Sequence, residues 1–373
     1  MSKPFSEINK KLGFGCMRLP MDGDEVNDAI FCQMIDSFIA SGFNYFDTAH
    51  GYIGGKSELA IGRCLSARYD RSSFVLANKL TSPYFNCKDD IRPFFEKQLE
   101  ACCVDYFDFY LIHAVSSGSY PKYRDNEAFA VASELKKEGK IGHIGISFHD
   151  SAEFLDKVLT ENPCIEFVQL QFNYLDFDDP GVQSKACYDV AVKHGKPVIV
   201  MEPVKGGALA RLDQESRAVA SSIGEGSDAS YALRFAASFD NVYMVLSGMG
   251  NMDMMTDNIA TFTPFIPLSE NEIDVLHETR RVIRRVKQVQ CTGCEYCMEP
   301  CPMEIKIPHV FKAYNAHLSA SVTKSEAKAM LPKEGGSPVD CISCGACAAM
   351  CPQHLEIPEL MQRITKSFGL KNA

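Results

Sequence analysis

The chain has 373 residues, 46% of them hydrophobic and 23% charged, and 38 Lys+Arg stand against 48 Asp+Glu for a net charge of −10. This is the composition of a globular protein with room for one large domain and one small one, and its acidity excludes nucleic acid as a partner. Neither a run of ~18 apolar residues nor a basic-then-apolar leader occurs, which excludes a membrane span and makes the cytoplasm the expected location.

From the N-terminus, short apolar β-rich runs alternate with longer amphipathic stretches. Strands are expected over 12–16 (LGFGC), 43–49 (FNYFDTA), 73–80 (SFVLANKL), 107–113 (FDFYLIH), 141–148 (IGHIGISF), 167–173 (FVQLQFN), 196–204 (KPVIVMEPV) and 242–248 (VYMVLSG). Helices fit between most of them, over 26–41, 88–103, 126–139, 151–160 and 181–194. Near-continuous hydrophobic strands separated by helices indicate a parallel sheet. Eight such units in ~250 residues match a (β/α)8 TIM barrel. The competing architecture, a doubly wound sheet, needs a Gly-rich phosphate turn, and no G-x-G-x-x-G is present.

Pro264 and Pro267 close the barrel pattern. Residues 269–287 read as one helix, with Ser269 as N-cap and Glu272 completing a capping box. Its basic residues Arg280, Arg281, Arg284, Arg285 and Lys287 read as a solvated face, the alternative being a dock for an acidic electron carrier. The remainder is expected to be a small, mostly α-helical domain, helical over 308–331 and turning at Gly335-Gly336-Ser337-Pro338. The expected division is a barrel over 1–265, a connecting helix over 266–287 and a C-terminal domain over 288–373.

In a barrel of this type the active site lies at the C-terminal ends of the strands. Three consecutive ends offer Asp47 with Tyr52 just beyond it, then Lys79, then His113. An Asp47–Lys79 pair would hold the ammonium charged and in place, and the ammonium would lower the Tyr52 phenol from its usual pKa near ~10. So tuned, Tyr52 becomes a general acid toward a carbonyl oxygen that His113 orients. Taken singly, each residue also reads as structural: an ion pair, a loop anchor, a barrel-end histidine. Their convergence favours chemistry. Asp108 and His143 read as structural. Tyr84, Phe85, Tyr120, Phe148 and Tyr174 read either as an apolar mouth or as loop packing.

Eight of the 16 cysteines form two copies of C-x2-C-x2-C-x3-C-P: Cys291, Cys294, Cys297 and Cys301, then Cys341, Cys344, Cys347 and Cys351. This run binds [4Fe–4S] clusters, and in two-cluster ferredoxins the fourth cysteine serves the other cluster. The expected sets are therefore crossed: Cys291, Cys294, Cys297 and Cys351 on one cluster, Cys341, Cys344, Cys347 and Cys301 on the other. Zinc, the competing metal, ordinarily takes paired C-x-x-C units. Cys16, Cys32, Cys64, Cys87, Cys102, Cys103, Cys164 and Cys187 are scattered and read mostly as small buried hydrophobes, without a disulfide framework. Handling under anaerobic conditions is implied.

The succession FDTAHGY, NKL, LIH, GISF, VQLQFN, MEPVKGG and VLSGM, over roughly residues 10–265, resembles the aldo-keto reductase family. The whole chain resembles its subgroup fused to a C-terminal 4Fe–4S dicluster ferredoxin-like domain. The resemblance implies an NAD(P)H-dependent oxidoreductase with Tyr52 as proton donor and Lys79, Asp47 and His113 completing a tetrad. It implies Ser147 and Gln169 on the nicotinamide carboxamide, Met201 where the family stacks an aromatic on the ring, and the loop from Gly248 to Asn258 on the adenosine end. Phe148 stands where the family usually has Asn, and Met254 where it has a base for the 2′-phosphate of NADP(H). Residues 248–258 contain no Lys or Arg, and Asp257 would repel a phosphate or bond a free hydroxyl, so NAD(H) is expected over NADP(H).

Three functions compete. The enzyme reduces an aldehyde or ketone with the clusters as an electron port; it does so with the clusters structural; or it is a flavin- or ferredoxin-linked electron-transfer protein in which the clusters, not nicotinamide, supply the electrons. A cluster moves one electron and a hydride carries two, so a flavin is the natural converter. Gly206-Gly207 and the Gly248–Gly250 stretch are the late loops that would hold its phosphate. The expected partners are a small carbonyl substrate and, for the port, a ferredoxin- or flavodoxin-type carrier.

Overall fold

The computed structural model describes residues 5–285, 288–319 and 322–371. Its strands are β1 Leu12–Gly15, β2 Met21–Asp22, β3 Glu25–Val26, β4 Tyr45–Asp47, β5 Val75–Leu80, β6 Phe107–Val115, β7 Ile141–Phe148, β8 Phe167–Gln171, β9 Val198–Met201 and β10 Val242–Gly248. Eight close into a barrel in the order β1, β4, β5, β6, β7, β8, β9, β10, with β10 returning to β1. Every pairing in it is parallel. The expected (β/α)8 barrel is thus found strand for strand. β2 and β3 form a separate antiparallel hairpin that no alternation in the sequence signals.

Between the strands run the helices Asp28–Ala40, Lys88–Cys102, Ala128–Lys137, Ala152–Glu161 and Ser184–Lys193, among others. Ala152–Glu161 shows why they form. Ser151 Oγ accepts from Phe154 N–H at the first turn, and Leu155, Val158 and Leu159 put one apolar stripe inward.

The barrel interior is filled from alternate strand positions. Tyr45, Val75, Ala77, Phe109, Leu111, Phe167, Ile199 and Met244 form one buried cluster. Phe5 meets the rings of Phe109, Phe167 and Tyr243 edge-on. The ring of Phe167 lies over Gly145, its register partner: a Cβ there would stand 2.3 Å from it. The floor of the barrel is therefore packed, and chemistry is left to the opposite, C-terminal ends.

The described chain falls into two compact units. One runs through Val204 and resumes over Glu225–Ile273, and it holds the barrel. The other joins Lys205–Gly224 to the chain from Asp274 onward. The loop after β9 thus belongs with the C-terminal part, a membership that composition does not signal.

In the second unit, Val310, Phe311 and Tyr314 pack with Met361, Ile364 and Phe368, and with Cys297 and Cys347. The expected helix over 308–331 is two helices, Ile307–Leu318 and Lys324–Ala329. Thr323 and Glu326 form a capping box that starts the second. The two cysteine runs share one backbone. Positive φ recurs at Gly293 and Ser343, at Glu295 and Gly345, and at Glu304 and His354. Ile307-Pro308 and Ile357-Pro358 each open a 12-residue helix with proline in its first turn. The basic stretch is not one solvated face: Arg280 is buried, Arg281 pairs with Glu278 and Arg285 with Glu215, and Lys287 lies outside the described residues. No helix among the described residues is long and apolar enough to cross a membrane.

The packed floor yields a test. Gly145→Ala should destabilise the protein by ~1–3 kcal/mol, the usual cost of overpacking a filled core. Gly118→Ala, whose nearest contact would be 3.8 Å away, should be close to neutral. Denaturation of both variants side by side checks this, and equal stabilities would mean that the interior yields freely.

Candidate functional site

β4 ends on Asp47, β5 carries Lys79 one residue before its end, β6 carries His113, and the turn after β4 carries Tyr52. All four side chains are buried. Lys79 Nζ donates to Asp47 Oδ1 at 2.6 Å and to the Thr48 carbonyl at 2.7 Å. It lies 4.8 Å from the centre of the Tyr52 ring. The Tyr52 and His113 rings are centred 6.1 Å apart at 76°. The structure brings together the four residues picked out from the sequence.

β6 reaches this point through an irregularity. Its register with β7 shifts between Ile112 and Val115, and Ala114 has φ 49°. Such a kink re-aims the neighbouring side chain. The Ala114 N–H donates to Ser147 Oγ at 2.7 Å, and Tyr123 donates its hydroxyl to the His113 carbonyl at 2.6 Å. His113 Nδ1 meets Thr81 Oγ1 at 2.7 Å.

The electrostatics correct one expectation. Tyr52 is not acidified. Burial, reinforced by the Asp47 carboxylate and opposed by Arg18, pushes its phenol well above the usual range. Lys79 does not reverse this: burial lowers its own pKa against the pull of Asp47, and its hydrogen bonds go to Asp47 and Thr48. Tyr52 is therefore a phenol held protonated. Burial, then Lys79 and His149, push His113 well below the ordinary histidine value, so its ring is neutral at neutral pH.

The residues implied for a cofactor are distributed as follows. Ser147 and Gln169 are register partners across β7 and β8. Gln169 Nε2 donates to Asp47 Oδ2 at 3.1 Å. Met201 ends β9, and Gly248 ends β10 beside Gly15. The 248–258 segment is a turn followed by the helix Met252–Thr261, capped by Asn251. Asn258 donates to Ser247 Oγ at 2.8 Å, and Asp257 accepts from Ser227 Oγ at 2.6 Å. Gly206 belongs to the second unit, where a Cβ would stand 2.2 Å from the Thr292 carbonyl oxygen. Phe85, Tyr120, Phe148 and Tyr174 are buried packing, and only Tyr84 of the five expected aromatics is exposed, stacked on Phe94. Asp108 pairs with Arg71, and His143 with Glu7 and Glu166, as structural residues do.

Sequence reasoning missed two features. Beneath Lys79 lies a buried layer built on Glu58, which accepts from Asn78 at 2.8 Å and Gln98 at 3.0 Å and meets His50 Nδ1 at 2.7 Å. Gln98 also donates to the Lys79 carbonyl at 3.0 Å, and Asn78 Oδ1 accepts the Lys79 N–H at 2.8 Å. The available signal was a Gln on the apolar face of a helix. The second is Arg18, in the loop after β1. It passes beside Gly248 and Gly250 and stands 3.7 Å from Glu202. No spacing links it to that loop.

In the second unit the paired cysteine runs line two cavities. One is lined by Cys291, Cys294, Cys297 and Cys351. The other is lined by Cys301, Cys341, Cys344 and Cys347. Burial pushes the Cys297 thiol up, with Cys294, Cys291 and Cys351 adding to it. Burial raises Cys347 likewise, with Cys341 and Cys301 adding. Thiols that oppose one another's ionisation are a donor set that a cationic core relieves. Among the described residues no group of His, Cys, Asp or Glu is placed to hold a single metal ion. Four thiols on one wall, three from one run and one from the other, fit a [4Fe–4S] cluster.

Residues 11–281 match the aldo/keto reductase family, and residues 290–355 match the 4Fe-4S dicluster domain. The uncharacterized oxidoreductase YqkF of Bacillus subtilis (strain 168) is 28% identical over 220 residues, 56% of this chain and 66% of that protein, just under two thirds of its length. L-galactose dehydrogenase of Arabidopsis thaliana is 25% identical over 300 residues, 74% of this chain and 92% of that protein. Among solved structures, the holo form of aldo-keto reductase AKR11C1 from Bacillus halodurans aligns with a TM-score of 0.60 at 25% identity, over 73% of this chain and 92% of its own. With an eight-stranded parallel barrel beneath a match of that extent, the chain belongs to the aldo/keto reductase family of oxidoreductases and carries a 4Fe-4S dicluster domain after its barrel.

Proposed function

We propose that the enzyme reduces an aldehyde or ketone to an alcohol with NADH, that Tyr52 donates the proton, and that two [4Fe–4S] clusters serve as its electron port. The supporting observation is the buried group at the strand ends, in which Lys79 is fixed by Asp47 and faces the Tyr52 ring beside His113. When bound, reduced nicotinamide would supply the hydride, which carries both electrons of the reduction, and the clusters would pass electrons one at a time to or from an external carrier. The rest falls to the chain. Tyr52 holds its proton across the neutral range and releases it to an oxygen that becomes strongly basic as the carbonyl is reduced, so the interaction strengthens toward the transition state. The Lys79 charge stabilises the phenolate left behind. Neutral His113, held by Thr81, orients the carbonyl oxygen.

Ser147 and Gln169 would take the carboxamide, and Met201 would pack on the ring. Gly248, Asp257 and Asn258, with the N-terminus of Met252–Thr261, would take the far end of the nucleotide. NADH is favoured because 248–258 holds no cation and Arg18 already stands beside Glu202. Cys291, Cys294, Cys297 and Cys351 would hold one cluster, and Cys301, Cys341, Cys344 and Cys347 the other, in keeping with the two cavity linings. A flavin, as converter between single electrons and hydride, is the group to assay beside iron. A ferredoxin- or flavodoxin-type carrier is the matching partner.

Tyr52→Phe keeps the ring and removes the proton, so kcat should fall by roughly 10²–10⁴ with little change in cofactor affinity. The assay is a screen of aldehydes and ketones with reduced cofactor under anaerobic conditions. The pH profile carries the sign of the two shifts. Tyr52, raised, is active protonated, so reduction should not fall on the alkaline side below about 10. His113, lowered, is active neutral, so the acid limb should appear only well below about 6.5. A Tyr52→Phe enzyme retaining a third of the turnover, or a limb near neutrality, contradicts these roles.

Affinities for NADH and NADPH, compared at one salt concentration, should favour NADH. A preference for NADPH beyond about tenfold, ~1.4 kcal/mol, would mean that Arg18 reaches the 2′-phosphate. For the clusters, Cys301→Ser should perturb the signal of the second run's cluster and Cys351→Ser that of the first, read by paramagnetic resonance. Damage confined to each cysteine's own run would mean uncrossed ligation.

A further inference from the structure

The two cysteine cavities differ in charge. Among the described residues, the second is lined by uncharged side chains throughout. The first includes Gln353, and Gln353 Oε1 accepts from Lys205 Nζ at 2.9 Å within the same unit. Lys205 is 2% exposed and Gln353 8%. The lysine is put there by a local distortion, since Lys205, Gly206 and Gly207 all take left-handed φ, at 47°, 62° and 95°. Gly206 then passes against the Thr292 backbone, one residue beyond Cys291. Gln353 follows Cys351 by two positions and lies on the same cavity wall, so the ammonium is held at that wall through its hydrogen bond. The one carboxylate on the wall of this cavity among the described residues, Glu295, is exposed, where water screens it.

We propose that Lys205 is a potential-setting residue whose buried positive charge favours an added electron on the cluster held by Cys291, Cys294, Cys297 and Cys351, and not on the cluster held by Cys301, Cys341, Cys344 and Cys347. The inference rests on the cluster assignment proposed above. When one electron arrives from a one-electron reductant, the reductant is oxidised by one unit and the cluster with its thiolates becomes one unit more negative. No bond is made or broken and no proton moves. A fixed cation bonded to a residue of the cavity wall stabilises that added charge, and net charge with hydrogen bonding at the sulfurs is among the terms that set cluster potentials. Lys205 follows Met201, the last residue of β9, by four positions in the chain. The residue that tunes the first cluster is therefore encoded in the chain just after β9, and not in the cysteine-bearing segment.

The test is a dithionite titration of the anaerobically prepared full-length protein, followed by paramagnetic resonance, with the two signals assigned through Cys294→Ser and Cys344→Ser. Lys205→Gln retains a donor for Gln353 but no charge. It should lower the reduction equilibrium of the first cluster by about tenfold or more, about 59 mV for a one-electron couple, and leave the second where it was. Lys205→Arg should restore most of the difference. If Lys205→Gln instead loses the first cluster alone while Lys205→Arg keeps it, the charge coupling to that cluster is equally supported. Unchanged potentials with both clusters present, an equal shift of both, or a loss shared by the Arg variant overturns the proposal. Failure of the wild-type chain to hold two clusters would instead overturn the assignment beneath it.

Discussion

A lysine ammonium without contact to water is the constraint around which the barrel's working end is arranged. Lys79 has a fully buried side chain, and an isolated buried charge is among the costliest features a fold can carry. Asp47 and the Thr48 carbonyl answer the charge itself. Gln169 takes the second oxygen of Asp47. Asn78 and Gln98 fix the Lys79 backbone on the side facing Glu58. Replacing a buried ion pair by hydrophobic residues of similar volume is often neutral or stabilising, so stability alone does not account for the pair. The same absence of water keeps Tyr52 protonated and His113 neutral. One physical condition thereby sets two protonation states, and the ion pair with Asp47 opposes it at Lys79.

The second unit answers a different shortage. Its apolar core is small and includes two of the thiols, Cys297 and Cys347. Small cores of this kind gain stability from metal, because ligands that are scattered in the unfolded chain are gathered only in the folded one. The duplicated backbone around the two runs, down to its left-handed residues, gives each cavity three thiols from one copy and one from the other. Neither copy closes its cavity alone. Folding of the two halves is therefore coupled through the donor sets.

The parts legible in the sequence are those written in local periodicity or fixed spacing. The eight strands stood out because buried parallel strands are continuous apolar runs. The cysteine runs stood out because three ligands to one cluster must come from one short loop. Asp47, Tyr52, Lys79 and His113 were legible once the strand ends were known. What escaped depends on distance in the chain or on dielectric. Arg18 lies beside Gly248 although some 230 positions separate them. Glu58 and Gln98 read as ordinary polar positions until their mutual burial is seen. The direction of the Tyr52 shift follows from how dry the site is, which residue types do not encode. The break in the 308–331 helix was readable at Thr323 and Glu326, where a start signal sits inside an apparently continuous pattern.

The contact of Gly206 with Thr292 bears on how such a chain can be recombined. The two residues lie far apart in the gene, yet any side chain at the first would collide with the backbone of the second. A barrel truncated at Ile273 would retain Lys205–Gly224 and lose the Gln353 and Thr292 that this loop meets. A cluster segment grafted onto another barrel would arrive without the loop. Shuffling that treats the C-terminal segment as a detachable cassette would thus transfer half of a fitted pair, and the heritable module is the discontinuous one, loop and tail together.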